Sequence, residues 1–242
     1  MPTSPGATAP HAPQSSPAGD GPRTPGTPRR QIAIALFDRF TALDAVGPHQ
    51  VFIHLPDTEV IFVSERVRGV TDESGTLTLQ AGASYADVPH PDIVVVPGGP
   101  GQAAQMTPGP LREWLLAADK TSTWTTSVCT GALVLAAAGL LHGRKATTYW
   151  LAHDELRRLG ATPQPGERYV FDGKYVTAAG VSAGIDMALA LAACVLGDAG
   201  AQRIQLGIEY DPRPPFQAGS PASAKPEIVE FFTARNRFAA RG

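Results

Sequence analysis

Several features are scarce in this chain of 242 residues, and each scarcity excludes a class of protein. Two cysteines are too few for a disulfide framework. The net charge of −2 shows no excess of either sign, so neither nucleic acid nor a membrane surface is expected as a partner. No apolar run reaches the roughly 18 residues that a membrane span needs. No HExxH or CxxC cluster occurs, so no metal site is expected.

Residues 1–30 lack Val, Ile, Leu, Phe, Tyr and Trp, yet they hold 8 of the 23 prolines. Such a stretch cannot bury enough surface to offset the entropy of ordering it, so we predict a disordered tail. It also lacks the apolar region of a secretory signal, and we expect a cytoplasmic protein. A twin-arginine export signal at Arg29-Arg30 is the less favoured alternative. The chain is 43% apolar, and residues 31–242 are predicted to form a single domain.

The body of the chain alternates between predicted strands and predicted helices. Strands are predicted at residues 32–37, 60–64, 92–97 and 124–128, with hairpins at 67–80 and 169–178. Helices are predicted at residues 45–55, 111–120, 130–138, 149–159, 182–196, 199–209 and 226–238. This alternation is typical of an α/β protein with a mostly parallel sheet and helices on both faces. Ligands bind such sheets beyond the carboxyl ends of the strands.

Cys129 is the strongest candidate nucleophile because it stands where a predicted strand turns into a predicted helix. A cysteine at such a corner is exposed to the unpaired amides and the positive end of the helix, which favour the reactive thiolate. Gly131 would keep the start of this helix unhindered. A buried structural cysteine is the alternative for Cys129, and it is the favoured reading for Cys194, which lies within an apolar helix.

Two further features could assist a nucleophile. Gly98 and Gly99 follow an apolar strand, and their backbone amides could stabilise negative charge, although a plain tight turn is the alternative. Asp44 has apolar neighbours, which would raise its pKa toward that of a working acid. A helix N-cap is the alternative for Asp44. No histidine stands in a recognisable spacing to Cys129.

These residues resemble the PfpI-like, class I glutamine-amidotransferase-like superfamily of cysteine-elbow proteins, and among its members the isocyanide hydratases. The similarity runs from about residue 31 to residue 221. It is carried by LDAVGPH at 43–49, VVPGGPG at 95–101, SVCTG at 127–131, AAGVSAGIDMALALA at 178–192 and EYDPRPPFQAGSP at 209–221. One departure stands out, since related hydratases read ATTHW where this chain reads ATTYW at 146–150.

The resemblance implies a flavodoxin-like sandwich, a homodimer, no cofactor and a small isocyanide as substrate. It implies that Cys129 attacks the isocyanide carbon, that Asp44 moves the proton, and that Thr130 stands beside the sulfur. Water would then release an N-substituted formamide from a cysteine thioimidate. It further implies that Gly180, Val181 and Tyr149 line the substrate pocket.

Three other functions of the same superfamily stay open. The sensor halves of AraC-type regulators carry similar SVCTGA and ATTxW segments but continue into helix-turn-helix units, for which only 21 residues remain after Pro221. A protease or deglycase is disfavoured because no histidine follows Cys129. A redox sensor would need an exposed thiolate that oxidises readily.

Overall fold

A mostly parallel sheet flanked by helices forms the centre of the molecule. The computed structural model describes residues 30–238. The strands are β1 (Arg30–Ala35), β2 (Thr58–Ser64), β3 (Arg68–Thr71), β4 (Thr78–Ala81), β5 (Ala83–Ser84), β6 (Ile93–Val96), β7 (Trp124–Val128), β8 (Lys145–Ala146), β9 (Thr162–Pro163), β10 (Tyr169–Asp172) and β11 (Tyr175–Ala178). The helices are α1 (Ala42–Phe52), α2 (Gln102–Gln105), α3 (Pro110–Ala118), α4 (Gly131–Ala137), α5 (His153–Arg158), α6 (Ala183–Leu196), α7 (Asp198–Gly207) and α8 (Pro226–Thr233).

The main sheet of the described region has the strand order β10-β11-β7-β6-β1-β2-β5. Its neighbouring strands are parallel except for the β10–β11 hairpin. Helix α1 packs on α6, which packs on α7, while α4 packs on α2 and α5. This arrangement confirms the predicted α/β class with a mostly parallel sheet.

The central strands owe their position to continuous apolar sequence. All four residues of β6, IVVV, are buried, as expected for a parallel strand covered on both faces. The largest side chains in the core come from the sheet and from the helices packed on it. They are Phe40, Phe52, Ile32, Ile34, Leu36, Ile93, Leu115, Leu133, Leu135, Leu141, Leu156 and Met187.

The sequence-based boundaries differ from the structure mainly where elements are short. The predicted helix at 149–159 is a 3-10 turn, Trp150–Ala152, followed by α5. The acidic residues Asp154 and Glu155 in the first turn of α5 favour a helix start at this point. The predicted helix at 226–238 ends at Thr233, and the residues after it contact other loops.

The predicted tail lies outside the described residues, apart from Arg30, which opens β1. The end of the chain, residues 239–242, lies outside them as well. Within residues 30–238, no helix has both the length and the apolar character required to cross a membrane.

The order of the strands brings three loops together at one edge of the sheet. In the main sheet, β2 lies on one side of β1, and β6 and β7 lie on its other side. The order of the strands therefore reverses between β1 and β6, which makes this position a topological switch point. The carboxyl end of β1 leads to α1 and Asp44, that of β6 leads to Gly98 and Gly99, and that of β7 leads to Cys129. The candidate site residues therefore converge at the switch point.

Candidate active site

Cys129 occupies a sharp turn between β7 and α4. Its φ of 56° lies in the left-handed region, which is strained for a residue other than glycine. Its amide donates to the carbonyls of Ala178 and Ala179 at 3.1 and 2.9 Å, and the hydroxyl of Thr148 donates to its carbonyl at 2.9 Å. These bonds hold the strained turn, and a turn of this shape is what a cysteine elbow requires.

Close packing beneath the turn requires a glycine at position 131. A Cβ at Gly131 would lie 2.1 Å from the carbonyl oxygen of Val96, at the end of β6. The helix that follows Cys129 can approach the neighbouring strand this closely only without a side chain there. The glycine expected to keep the helix start unhindered therefore does so.

Asp44 lies in the first turn of α1 and is fully buried. The N-cap residue of this helix is Thr41, so the alternative reading of Asp44 as the cap is wrong. The Oδ2 atom of Asp44 accepts the amide N–H of Gly98 at 2.8 Å, while its Oδ1 atom is buried and has no hydrogen-bond partner among residues 30–238. A carboxyl group with one anchored and one unpartnered oxygen suits proton transfer better than helix capping.

The glycine loop after β6 holds the side chains of Asp44 and Thr130 in place. The N–H of Gly98 points to Asp44, and the N–H of Gly99 donates to the Thr130 hydroxyl at 3.0 Å. A Cβ at Gly98 would lie 2.5 Å from both the amide nitrogen and the hydroxyl oxygen of Thr130. Because both amides already have acceptors, their geometry differs from that of the oxyanion site expected from the sequence.

Burial dominates the protonation of the Cys129–Asp44 pair. Desolvation raises the pKa of Asp44 from 3.8 to about 8, against the opposing effect of the hydrogen bond from Gly98. Desolvation also raises the pKa of the Cys129 thiol to about 12, and the charge of Asp44 adds to the rise. The amides of Val181 and Thr130 lower it without offsetting burial. The expectation of a thiolate favoured by the helix end is therefore wrong, because burial outweighs the effect of the backbone amides.

The residues expected to line the pocket, Gly180, Val181 and Tyr149, act on Cys129 or lie next to one another. The backbone amide of Val181 lowers the pKa of Cys129, and Val181 itself has a φ of 29°. A Cβ at Gly180 would lie 3.1 Å from the Tyr149 ring, so the glycine leaves room for that ring. Tyr149 is partly buried and interacts electrostatically with Cys129. Gly180 and Val181 thus follow β11, and Tyr149 packs beside Gly180.

Two residues near the site were missed by the sequence analysis. Thr148 fixes the carbonyl of the nucleophile, and the repeated threonines of ATTYW were its only signal. Arg237 donates to the carbonyl of Gly99 at 3.3 Å from the end of the chain. No local pattern predicts that this terminal segment folds back onto the glycine loop.

Cys194 offers a contrast to Cys129. It lies within α6 at intermediate exposure, and burial raises its pKa. No acidic or basic partner is hydrogen-bonded to it within residues 30–238. Over the same residues, no three His, Cys, Asp or Glu side chains come together as a metal-binding group.

We expect Gly98→Ala to damage the site more than the fold. The added methyl group would push Thr130 and the Asp44 carboxyl away from Cys129, at a cost of about 1–3 kcal/mol in the free energy of unfolding and with a large loss of turnover. Gly207→Ala is the matched control, since nothing lies within 4 Å of a Cβ built there. Equal turnover in the two variants, measured alongside urea unfolding, would contradict this assignment.

The fold and the site define a class of architecture, an α/β protein with a cysteine at a strand-to-helix elbow and a buried carboxyl group beside it. The chain belongs to the DJ-1/PfpI family, which it matches over residues 30–194. A THiJ/PfpI family protein from Pseudomonas syringae has a solved structure that superposes with a TM-score of 0.82 at 33% identity, covering 92% of this chain and 93% of that one. This likeness confirms the flavodoxin-like fold.

Two curated proteins are also similar in sequence. The isonitrile hydratase of Pseudomonas putida is 42% identical over 200 residues, which are 83% of this chain and 87% of that protein. The HTH-type transcriptional regulator CdhR of Pseudomonas aeruginosa is 37% identical over 105 residues, which are 42% of this chain but only 30% of the regulator.

Proposed function

We propose that this protein is an isocyanide hydratase, an enzyme of the lyase class that converts an isocyanide and water to an N-substituted formamide. The observation that carries the proposal is a cysteine at a strained elbow together with a buried carboxyl group whose Oδ1 atom has no partner among the described residues; burial raises the pKa of that group to about 8. The similarity to an isonitrile hydratase over most of both chains supports the same substrate class.

In the first step, the sulfur of Cys129 forms a bond to the terminal carbon of the isocyanide. That carbon bears a lone pair and must gain a proton as the bond forms. Because Oδ2 of Asp44 accepts the Gly98 amide, the proton of the neutral carboxyl group is assigned to Oδ1, which has no other partner among the described residues. Asp44 gives this proton to carbon and receives the proton of the thiol, leaving a neutral thioimidate.

In the second step, water adds to the carbon of the thioimidate. The water oxygen bonds to carbon, one water proton passes to nitrogen, and the carbon–sulfur bond then breaks. The second proton returns to sulfur by way of Asp44, so the enzyme regains its thiol and the formamide leaves. The amides of Val181 and Thr130 stabilise negative charge on the sulfur while these bonds change.

The remaining predicted residues have supporting roles in this proposal. Gly98 and Gly99 position Asp44 and Thr130 through their amides and do not bind an oxyanion themselves. Thr130 supplies both an amide to the sulfur and a hydroxyl to the loop. Tyr149 and Gly180 shape the pocket wall. No step needs a cofactor or a metal.

We also propose a homodimer. Several large apolar side chains near the end of the described region are exposed, and α8 has no buried residue. The most exposed of them are Leu206, Phe216 and Phe231, at 78%, 77% and 52% of their surface. A second copy that covers this surface would explain the exposure. We expect light scattering at micromolar concentration to give twice the mass of the chain, and a monomer would contradict the proposal.

The alternative functions have less support. Burial leaves Cys129 only 6% exposed and raises its pKa, which opposes a redox sensor that depends on an accessible thiolate. The match to the regulator covers under a third of that protein. The cytoplasmic location stays a prediction. The two unpaired cysteines are consistent with it.

Incubation with cyclohexyl isocyanide or p-nitrophenyl isocyanide tests the proposal. We expect N-cyclohexylformamide or N-(p-nitrophenyl)formamide to form catalytically, as measured by chromatography with mass detection. The proposed function would be overturned if an isocyanide is consumed without forming a formamide. It would also be overturned if the protein consumes neither isocyanide at any pH between 5 and 8.

A further inference from the structure

The end of the described chain brings a cation to the glycine loop beside Cys129 and Asp44. After α8, the side-chain amide of Asn236 donates to the carbonyl of Leu151 at 3.2 Å. The Nη2 atom of Arg237 then donates to the carbonyl of Gly99 at 3.3 Å and to Oε1 of Gln102 at 2.9 Å. The segment is thus fixed to the two loops that flank Cys129.

The guanidinium group of Arg237 is held in position, and several of its N–H groups make no hydrogen bond among the described residues. One face lies 4.6 Å from the centre of the Phe238 ring, so the plane of the group is fixed. Nη2 carries both of the hydrogen bonds that the group makes within residues 30–238. The three N–H groups on Nε and Nη1 are left over, and the residue is exposed to solvent.

The charge of Arg237 acts on the reacting groups. It attracts negative charge on Cys129, and it opposes the burial that raises the pKa of Tyr149. Glu73 and Arg39 are the other charged groups that act on Arg237. Glu73 accepts a hydrogen bond from the hydroxyl of Thr41 at 3.1 Å. The cation beside the glycine loop therefore has no anionic partner within hydrogen-bond reach among the described residues.

We propose that Arg237 is the specificity-determining residue of this site and binds the carboxylate of an isocyanide whose isocyano carbon lies at Cys129. The inference rests on the proposed function and narrows its substrate class to isocyanides that carry a carboxylate on a short linker. A preoriented guanidinium with free N–H groups matches the planar geometry and the charge of a carboxylate. A neutral isocyanide of the same size reaches the same sulfur without using these donors.

The test compares isocyanoacetate with its neutral isostere isocyanoacetamide in the wild type, Arg237→Met and Arg237→Lys. We expect Arg237→Met to lower kcat/KM for isocyanoacetate about tenfold more than for isocyanoacetamide, the usual weight of one charge-assisted hydrogen bond at an exposed position. Arg237→Lys should recover part of the loss. Arg235→Met is the matched control, because Arg235 donates to Phe231 and stacks on its ring, away from the glycine loop; it should leave both substrates unchanged.

Equal losses for the two substrates in Arg237→Met would mean that the residue only holds the loop, and the inference would be overturned. Alkylation of Cys129 by iodoacetate and by iodoacetamide separates this result from failure of the proposed function. These reagents react with the same sulfur and differ in charge. We expect the ratio of their rate constants to fall about tenfold in Arg237→Met even if no isocyanide is hydrated, and an unchanged ratio would again overturn the inference.

Discussion

Cys129→Ala is expected to reduce isocyanide hydration by about four decades or more while the protein stays folded. The sulfur is the only atom of the proposed site that bonds to the substrate, so nothing replaces it once it is removed. The elbow itself should survive, because its amide and carbonyl bonds to Ala178, Ala179 and Thr148 do not involve the side chain. Formamide production and circular dichroism together measure the two effects.

Cys194→Ala is the control for this experiment. Cys194 lies within α6 and makes no contact with the proposed reaction, so turnover should stay within about twofold of the wild type while stability falls slightly. Comparable losses of activity in the two variants would mean that Cys129 is not the nucleophile.

Asp44→Asn is expected to lower turnover by about 10²–10⁴-fold, the usual contribution of general acid–base catalysis. Asparagine can still accept the Gly98 amide, but it has no proton to transfer. Asp44→Glu keeps the acid and moves it by one methylene group, so a smaller loss is expected. Wild-type turnover in Asp44→Asn would mean that the proton comes from water or from the hydroxyl of Thr130.

The pH dependence of turnover and of stability tests the role of Asp44 a second time. The acid must be protonated to act, and the pKa of Asp44 is raised to about 8, so turnover should fall as the pH rises through about 8.

The free energy of unfolding should also fall as the pH rises. The raised pKa stabilises the fold fully below the ordinary value of 3.8, and this contribution is lost as the pH rises toward 8. Asp44→Asn should remove both slopes, and a high-pH limb that persists in the variant would assign it to another group.

The sequence predicts the sheet and the elbow because both depend on local patterns. Trp124–Val128 is predicted to the residue, since a strand runs directly into a turn and a helix. The two-residue strands β5, β8 and β9 show no such pattern, because two residues are too few to display alternation. Their existence depends on neighbours distant in sequence.

The chemistry of the site was less accessible to sequence reasoning than its residues. The apolar neighbours of Asp44 correctly predicted a raised pKa. The protonation of Cys129 was predicted wrongly, because the helix end could be read from the sequence while the depth of burial could not. Arg237 was missed for a related reason, since its contact with Gly99 spans 138 positions in sequence.

The most direct test of the account is the mass of the intact protein after brief exposure to cyclohexyl isocyanide. If the sulfur of Cys129 attacks the isocyanide carbon, wild-type protein quenched in acid during turnover should contain a species heavier by one isocyanide molecule. Asp44→Asn should contain less of it, because the proposed first step takes the proton for the isocyanide carbon from Asp44. Peptide mapping should place that mass on the peptide containing Cys129, and Cys129→Ala should show no such species. Formamide formation with no adduct on Cys129 in any variant, or an equal adduct in Cys129→Ala, would contradict covalent catalysis by this residue.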